Sequence, residues 1–96
     1  MADFILLMHD DGGDTDPAAW ERYFRRLRAA GVFEGGSQIG DGGTYRKAGQ
    51  PRSIAGWIGG YIRITAEDLE TAQTWLDGNP VYEAGGTVEI RELPRS

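Results

Sequence analysis

The sequence predicts an α+β domain in which two helices cover one face of a four-stranded antiparallel sheet. Three observations lead to this class: an apolar run near the start, two amphipathic segments, and two alternating segments in the second half that each follow a glycine pair. The resulting order, β-α-β-β-α-β, is the split arrangement of a ferredoxin-like sandwich. Both helices then pack on the same face of the sheet, and the opposite face stays open.

The first half of the chain contains the first strand and the first helix. Phe4–Met8 is a short, continuous apolar run, which is typical of a strand buried on both faces, and the outward set is Ile5, Leu7 and His9 if Phe4, Leu6 and Met8 face the helices. Asp16 and Pro17 are residue types preferred at an N-cap and in the first helical turn, and Gly31 favours a helix end. We therefore predict a helix over about residues 17–30. Its apolar face consists of Trp20, Tyr23, Phe24 and Leu27.

Residues 35–53 define the second strand less sharply. They contain six glycines, with a strand predicted around residues 37–46 and a turn near residues 47–50. The same composition is also typical of a mobile loop over a pocket. Both interpretations stand at this point.

The two strands predicted in the second half of the chain show an alternation of inward and outward side chains. From Trp57 to Ile64 the period of two places Ile58, Ile62 and Ile64 towards the helices. Residues 65–68 resemble a capping box in which Asp68 replaces the usual glutamate. The second helix then ends at Gly78. Its predicted buried side is Leu69, Ala72, Trp75 and Leu76, and the last strand, Thr87–Leu93, points Val88 and Ile90 inward.

The face without helices combines large apolar groups with charges. Its predicted members are Ile5, Leu7, His9, Trp57, Tyr61, Arg63, Glu89 and Arg91. An apolar patch of this kind is unfavourable in water on a monomer, and a chain of 96 residues gains from burying more surface. We therefore predict a homodimer in which two open faces meet.

Two interpretations apply to Arg63, Glu89 and Arg91. As cross-strand ion pairs they would stabilise the sheet by about 0.2–1 kcal/mol each. Together with Trp57 and Tyr61, they would instead form a ligand-binding set in a cleft on the open face. The planar fork of arginine suits a carboxylate or phosphate, so this second interpretation favours a small anionic molecule.

His9 is the only histidine, and it lies where the first strand ends. Histidine is the residue most often used as a general base, which makes His9 the candidate catalytic residue. Asp11 or Asp14 on the bent loop that follows is better placed to orient it than Asp10, which points to the opposite face. The alternative is an ordinary surface histidine.

Composition bounds the remaining expectations. Ten basic residues against fifteen acidic ones give a net charge of −5, which disfavours nucleic acid as a partner. The absence of cysteine fits a cytoplasmic location, and the five-residue apolar run is too short to span a membrane. The aspartates of residues 10–16 do not complete a calcium-binding pattern, so we predict no metal and no cofactor. Residues 1–96 form one predicted domain, with Trp20, Phe24 and Trp75 assigned to its core.

Short motifs across nearly the whole chain carry a family resemblance. They are Phe4–Met8, Trp20, Leu27, Gly31, Gly59-Gly60-Tyr61, Leu69, Ala72, Trp75, Pro80, Gly85-Gly86 and Val88-Glu89-Ile90-Arg91. On these residues the chain resembles the YCII-related proteins, and within them the DGPF-type branch. The resemblance implies a dimeric ferredoxin-like α/β barrel, and in one branch an enzymatic role that uses a His-Asp pair.

The chain departs from the residues that this role would require. Trp20 stands where the family histidine falls, and Ala29 or Ala30 stands where the aspartate falls. The Asp-Gly-Pro-Phe signature before the third strand is replaced by Ser53-Ile54-Ala55-Gly56. Neither catalytic set carries over to this chain.

Three functions therefore remain open. The preferred one is a dimeric domain that binds a small molecule between the sheets. The second is a cofactor-independent enzyme, with His9 as base and Arg63 or Arg91 holding a substrate oxyanion. The third is a structural or interaction subunit whose open face is dry and apolar.

Overall fold

The computed structural model of the chain describes residues 1–95. The sheet contains β1 (Ala2–His9), β2 (Phe33–Gln38), β3 (Ile58–Ala66) and β4 (Val88–Leu93). The helices are α1 (Pro17–Ala29), α2 (Leu69–Gln73) and α3 (Pro80–Glu83), with a 3₁₀ turn at Thr74–Leu76. The strand order is β2-β3-β1-β4 and every neighbouring pair is antiparallel, which confirms the predicted ferredoxin-like α+β class.

The core lies between α1 and one face of the two central strands. Phe4, Leu6 and Met8 alternate with half-exposed neighbours along β1, as a strand covered on one face requires. They pack with the two buried isoleucines of β3 and with the buried side of α1, which are Ile62, Ile64, Tyr23 and Leu27. The structure therefore selects which set of β1 residues faces the helices, a choice that the continuous apolar run leaves open.

Both ends of α1 form as the sequence predicts. The carboxylate of Asp16 accepts a hydrogen bond from the amide of Ala18 at 3.0 Å and caps the first turn. At the other end Gly31 has a φ of 72°, in the left-handed region that glycine adopts without steric cost.

The second strand begins earlier than predicted. β2 covers Phe33–Gln38 rather than residues 37–46, because Phe33 packs against Phe24 with ring centroids 5.4 Å apart. A Cβ on Gly36 would lie 2.6 Å from the carbonyl oxygen of Tyr61, so β2 approaches β3 this closely only with glycine there. Residues 39–57 contain neither helix nor strand.

The start of the second helical region also differs from the prediction. β3 continues to Ala66, and Asp68 rather than Thr65 is the N-cap, with its carboxylate 2.8 Å from the amide of Thr71. The predicted capping box at residues 65–68 is therefore wrong. Leu69, predicted to be buried, is 48% exposed because α2 turns that position towards solvent.

The predicted second helix is divided into two short pieces, and a further short helix follows it. α2 ends at Gln73, the 3₁₀ turn follows, and Gly78 with a φ of 82° reverses the chain before α3. Asn79 is fully buried, and its Oδ1 accepts hydrogen bonds from the amides of Val81 and Tyr82 at 3.0 and 3.1 Å. This side chain starts α3 by capping two amides that would otherwise be unpaired.

The third strand meets β1 with an irregularity at one end. The register shifts between Met8 and His9, so that His9 pairs with Ile58. Ile58 is half-buried and does not join the core, contrary to the alternation predicted for this strand. The bulge explains the difference, because an inserted residue interrupts the period of two.

Within residues 1–95, no helix has the length and apolar content needed to cross a membrane. The same residues place no group of three or more histidine or acidic side chains where they could hold a metal ion.

Candidate functional site

A cavity of about 790 Å³ lies at the end of the sheet where β1 stops and β3 begins. It lies between the first turns of α1, the end of β2 and the start of β3. We call it the glycine-floored pocket. Its lining includes Met8, Trp20, Phe24, Gly36, Gly60 and Val81. The volume is in the range typical of small-molecule sites.

Two adjacent strands carry glycine where they line the pocket. Gly60 is buried, and a Cβ there would lie 3.2 Å from the carbonyl oxygen of Ser37 and 3.3 Å from Cε of Met8. Gly36 on β2 pairs with Ile62, two residues further along β3, and a Cβ there would lie 2.6 Å from the carbonyl oxygen of Tyr61. Neither position has room for a side chain, so both strands line the pocket with backbone there.

Two aromatic rings of α1 form the opposite wall. Trp20 and Phe24 stack with ring centroids 5.6 Å apart and planes inclined by 24°. The indole Nε1 of Trp20 donates a hydrogen bond to Oγ1 of Thr15 at 3.1 Å, which fixes the orientation of the ring. A flat apolar wall faces a flat backbone floor, an arrangement that fits a planar ring.

The rim of the pocket is an acidic loop, residues 10–16. Asp10 and Asp14 line the pocket, whereas Asp11 turns away and accepts hydrogen bonds from the amide and Oγ1 of Thr87 at 2.8 and 2.7 Å. These two bonds hold the pKa of Asp11 below its usual value, since they favour its charged form. Neither arginine nor lysine occurs among the lining residues within 1–95, so the pocket is electrostatically negative.

Backbone contacts hold the acidic loop against the start of β4. The amide of Gly13 donates to the carbonyl oxygen of Ala84 at 3.0 Å. A Cβ on Gly12 would lie 2.5 Å from the amide nitrogen of Gly86, and one on Gly86 would lie 2.7 Å from Cγ1 of Val81. Gly12 is required because its backbone touches that of Gly86, and Gly86 because it packs against both the side chain and the carbonyl oxygen of Val81.

The open face carries its polar groups in rows across three strands. β1 lies in the middle, so Arg63 and Arg91 flank Ile5, while Tyr61 and Glu89 flank Leu7. Neighbouring strands are about 4.8 Å apart, which puts the backbones of the two residues in each flanking pair about 10 Å from each other.

His9, Glu89 and Arg91 form one connected group on the open face. Nε2 of His9 lies 3.1 Å from Oε1 of Glu89, and Nη1 of Arg91 donates to Oε2 at 3.1 Å. The hydrogen bond from His9, followed by that from Arg91, lowers the pKa of Glu89. The side chain of His9 is only 19% exposed, so it does not point into bulk solvent.

The sequence pattern of the YCII-related domain matches residues 5–95. The chain belongs to the YCII-related family. A search of curated proteins finds no match for this YCII-related chain. Among solved structures it is similar to 5-chloro-2-hydroxyhydroquinone dehydrochlorinase (TftG) from Burkholderia phenoliruptrix AC1100, in complex with 2,5-dihydroxybenzoquinone. The TM-score is 0.58 at 15% identity, over 98% of this chain and 95% of the other, which establishes a shared fold.

The YCII-related chain brings together only part of the predicted ligand-binding set. His9, Glu89 and Arg91 are in contact, whereas Arg63 lies across β1 from them and is exposed. Trp57 precedes β3 and is 57% exposed. Tyr61 is half-buried in the row beside Leu7, as its parity predicts.

The predicted partners of His9 are wrong. Asp11 bonds to Thr87, and Glu89 rather than Asp11 or Asp14 contacts the imidazole. The signal was present in the sequence analysis, because His9 and Glu89 were both assigned to the open face. Their contact required the pairing of β1 with β4, which no local pattern reveals.

The glycine-floored pocket was not predicted from the sequence. Trp20 and Phe24 pack against the core as predicted, but both are only half-buried and also line the cavity. Trp20, at the position where the resemblance places a histidine, lines the pocket with an indole, which has no acid–base function. The glycine pair Gly59-Gly60 on an inner strand was the available signal.

Proposed function

We propose that this YCII-related chain binds a small planar molecule in the glycine-floored pocket. The observation that carries the proposal is the shape of the cavity, in which the stacked pair Trp20 and Phe24 faces a floor without side chains at Gly36 and Gly60. A ring inserted there would contact an aromatic surface on one side and backbone on the other. The ligand of the structurally similar TftG, a quinone ring, is of suitable shape.

The charge of the pocket narrows the ligand class. Asp10 and Asp14 would repel an anion and would accept hydrogen bonds from hydroxyl or amino groups. The proposed ligand is therefore a neutral or cationic ring with hydroxyl or amino substituents. Trp20 cannot exchange a proton in the role of a histidine, so His9 is the lining residue with acid–base chemistry.

Binding experiments with hydroquinone, a neutral probe, and benzoate, an anionic probe, would test this proposal. Hydroquinone is expected to shift the backbone amide resonances of Gly36 and Gly60 in ¹H–¹⁵N NMR spectra, while benzoate leaves them unchanged. Trp20→Ala removes the stacking wall and is expected to weaken hydroquinone binding by roughly tenfold.

Trp57→Ala is the matched control, since Trp57 is a tryptophan outside the lining of the pocket. It should leave hydroquinone binding unchanged. Equal losses in the two variants, or resonance shifts confined to residues of the open face, would rule out the glycine-floored pocket as the binding site.

A second candidate function uses the open face. The connected group of His9, Glu89 and Arg91, with Arg63 about 10 Å away across β1, supports a cleft for a small anion. Within it His9 would serve as general base, with an arginine holding the oxyanion. In this case benzoate, not hydroquinone, perturbs the side-chain Nε resonances of Arg63 and Arg91.

The open-face candidate requires a homodimer, because a single copy leaves Ile5, Leu7 and Tyr61 half-exposed on a sheet without cover. Tyr61→Asp places a charge at the centre of that face and is expected to raise the dimer dissociation constant by tenfold or more, roughly 1.4 kcal/mol. Sedimentation velocity across a concentration series measures the change. Tyr82→Asp, at an exposed tyrosine on α3, is the control. A dimer equally stable in both variants would show that the open face is not the interface.

A further inference from the structure

Residues 39–57, which we call the β2–β3 arm, extend away from the domain. The arm is attached at its two ends, where the amide of Ile39 donates to Gly59 at 3.0 Å and Trp57 accepts from the amide of Asp10 at 2.7 Å. Between these points Arg46 hydrogen-bonds to the carbonyl of Gln50, a contact internal to the arm. The radius of gyration is 14.7 Å, against about 12.5 Å for a compact chain of this length.

The arm exposes a concentrated set of large apolar side chains. Tyr45 is 91% exposed and Trp57 57% exposed, with Ile39 and Ile54 at 43% and 48%. Four of the seven large hydrophobic residues exposed within residues 1–95 therefore lie on the arm. Side chains of this kind on a projecting segment are typical of a surface that binds another protein.

The charge of the arm is opposite to that of the remaining chain. The arm has a net charge of +2, from Arg46, Lys47 and Arg52 against Asp41. Since the whole chain has a net charge of −5, the residues outside the arm have a net charge of −7. The densest acidic stretch is the acidic loop, whose aspartates at positions 10, 11, 14 and 16 are all exposed. A basic, aromatic arm is complementary to this loop.

We propose that the β2–β3 arm of one copy of this chain lies across the acidic loop of a second copy. Within one copy the arm meets its own acidic loop at Trp57, whose carbonyl oxygen accepts from the amide of Asp10, whereas Tyr45 is 91% exposed and does not cover that loop. In this dimer, the arginine and lysine side chains on the arm of one copy face the aspartates in the acidic loop of the other copy. Since Asp10 and Asp14 form the pocket rim, the arm of the second copy also borders the glycine-floored pocket. Any role of the arm in ligand binding rests on the proposed function, whereas the contact between arm and loop does not.

The absence of cysteine from the sequence permits a direct test. Tyr45→Cys and Asp14→Cys are prepared as separate proteins, mixed, and treated with a short bismaleimide, so that any product joining them is intermolecular. We expect a strong heterodimeric product by mass spectrometry. At about 1 M salt, where the Debye length is about 3 Å, its yield is expected to fall.

Glu67→Cys replaces Asp14→Cys in the control mixture. Glu67 is exposed and follows Ala66, which pairs with Ala2 at the opposite end of the sheet from the acidic loop. A product with Glu67→Cys as abundant as that with Asp14→Cys would reflect random collision and would overturn the proposal.

Charge reversal provides a second measurement without labels. The double variant Arg46→Glu with Lys47→Glu is expected to raise the dimer dissociation constant by roughly tenfold or more. Tyr82→Asp again serves as the control variant. An unchanged dissociation constant overturns the proposal, as does a monomer whose radius of gyration in solution is well below 14.7 Å, which would show the arm folded on its own chain.

Discussion

Leu27→Ala is expected to lower the free energy of unfolding by about 3–5 kcal/mol. Leu27 is fully buried at the centre of the core, so truncation removes apolar contacts and leaves a cavity that the sheet cannot collapse to fill. For a domain of 96 residues the total stability is about 5–14 kcal/mol, so this change removes a large fraction of it. Urea denaturation followed by circular dichroism measures the loss.

The matched control is Leu69→Ala. Leu69 is 48% exposed, and we expect a cost below about 1 kcal/mol, mainly from lost partial burial. Because both variants replace leucine with alanine, the difference in unfolding free energy reflects the burial of the two positions, one on α1 and one on α2. Equal costs for the two leucines would show that Leu69 is buried as the sequence pattern indicates, and not exposed as the structure places it.

Gly12→Ala is expected to destabilise the chain by about 1–3 kcal/mol. The new Cβ would lie 2.5 Å from the amide nitrogen and 2.7 Å from the Cα of Gly86, and both are backbone atoms that can yield only by displacing the acidic loop or the start of β4. Because the loop forms the pocket rim, binding of hydroquinone should weaken as well. Thermal unfolding and the NMR titration measure the two effects.

Gly13→Ala, at the neighbouring position, is the control. Its Cβ would lie 3.5 Å from the carbonyl oxygen of Ala84, an ordinary van der Waals distance, so the change is expected to be neutral or slightly stabilising. If both alanines are tolerated equally, the loop does not pack against Gly86 as described.

The limits of α1 were predictable because they depend on local chemistry. Asp16 caps its own helix two residues away, and Gly31 provides its own left-handed conformation. The capping residue of α2 was mispredicted because Thr65 and Asp68 are both suitable N-caps. The choice between them depended on how far β3 remained paired with β1, up to Ala66.

The site was less predictable than the fold. Trp20 and Phe24 occupy the apolar stripe of α1, and the sequence alone does not reveal whether such a stripe meets side chains or an empty floor. That outcome depends on the pairing of β2 with β3, which sets Gly36 opposite Ile62 and Gly60 opposite Gln38. The contact of His9 with Glu89 likewise joins residues 80 positions apart.

The amino-acid order was enough to establish the strand and helix order and the ends of α1, because hydrophobic period and capping act between residues close along the chain. The pocket, the partner of His9 and the course of the β2–β3 arm emerged only in the folded chain. Each depends on which strands pair and in which register, and pairing brings together residues whose separation along the chain carries no local signal.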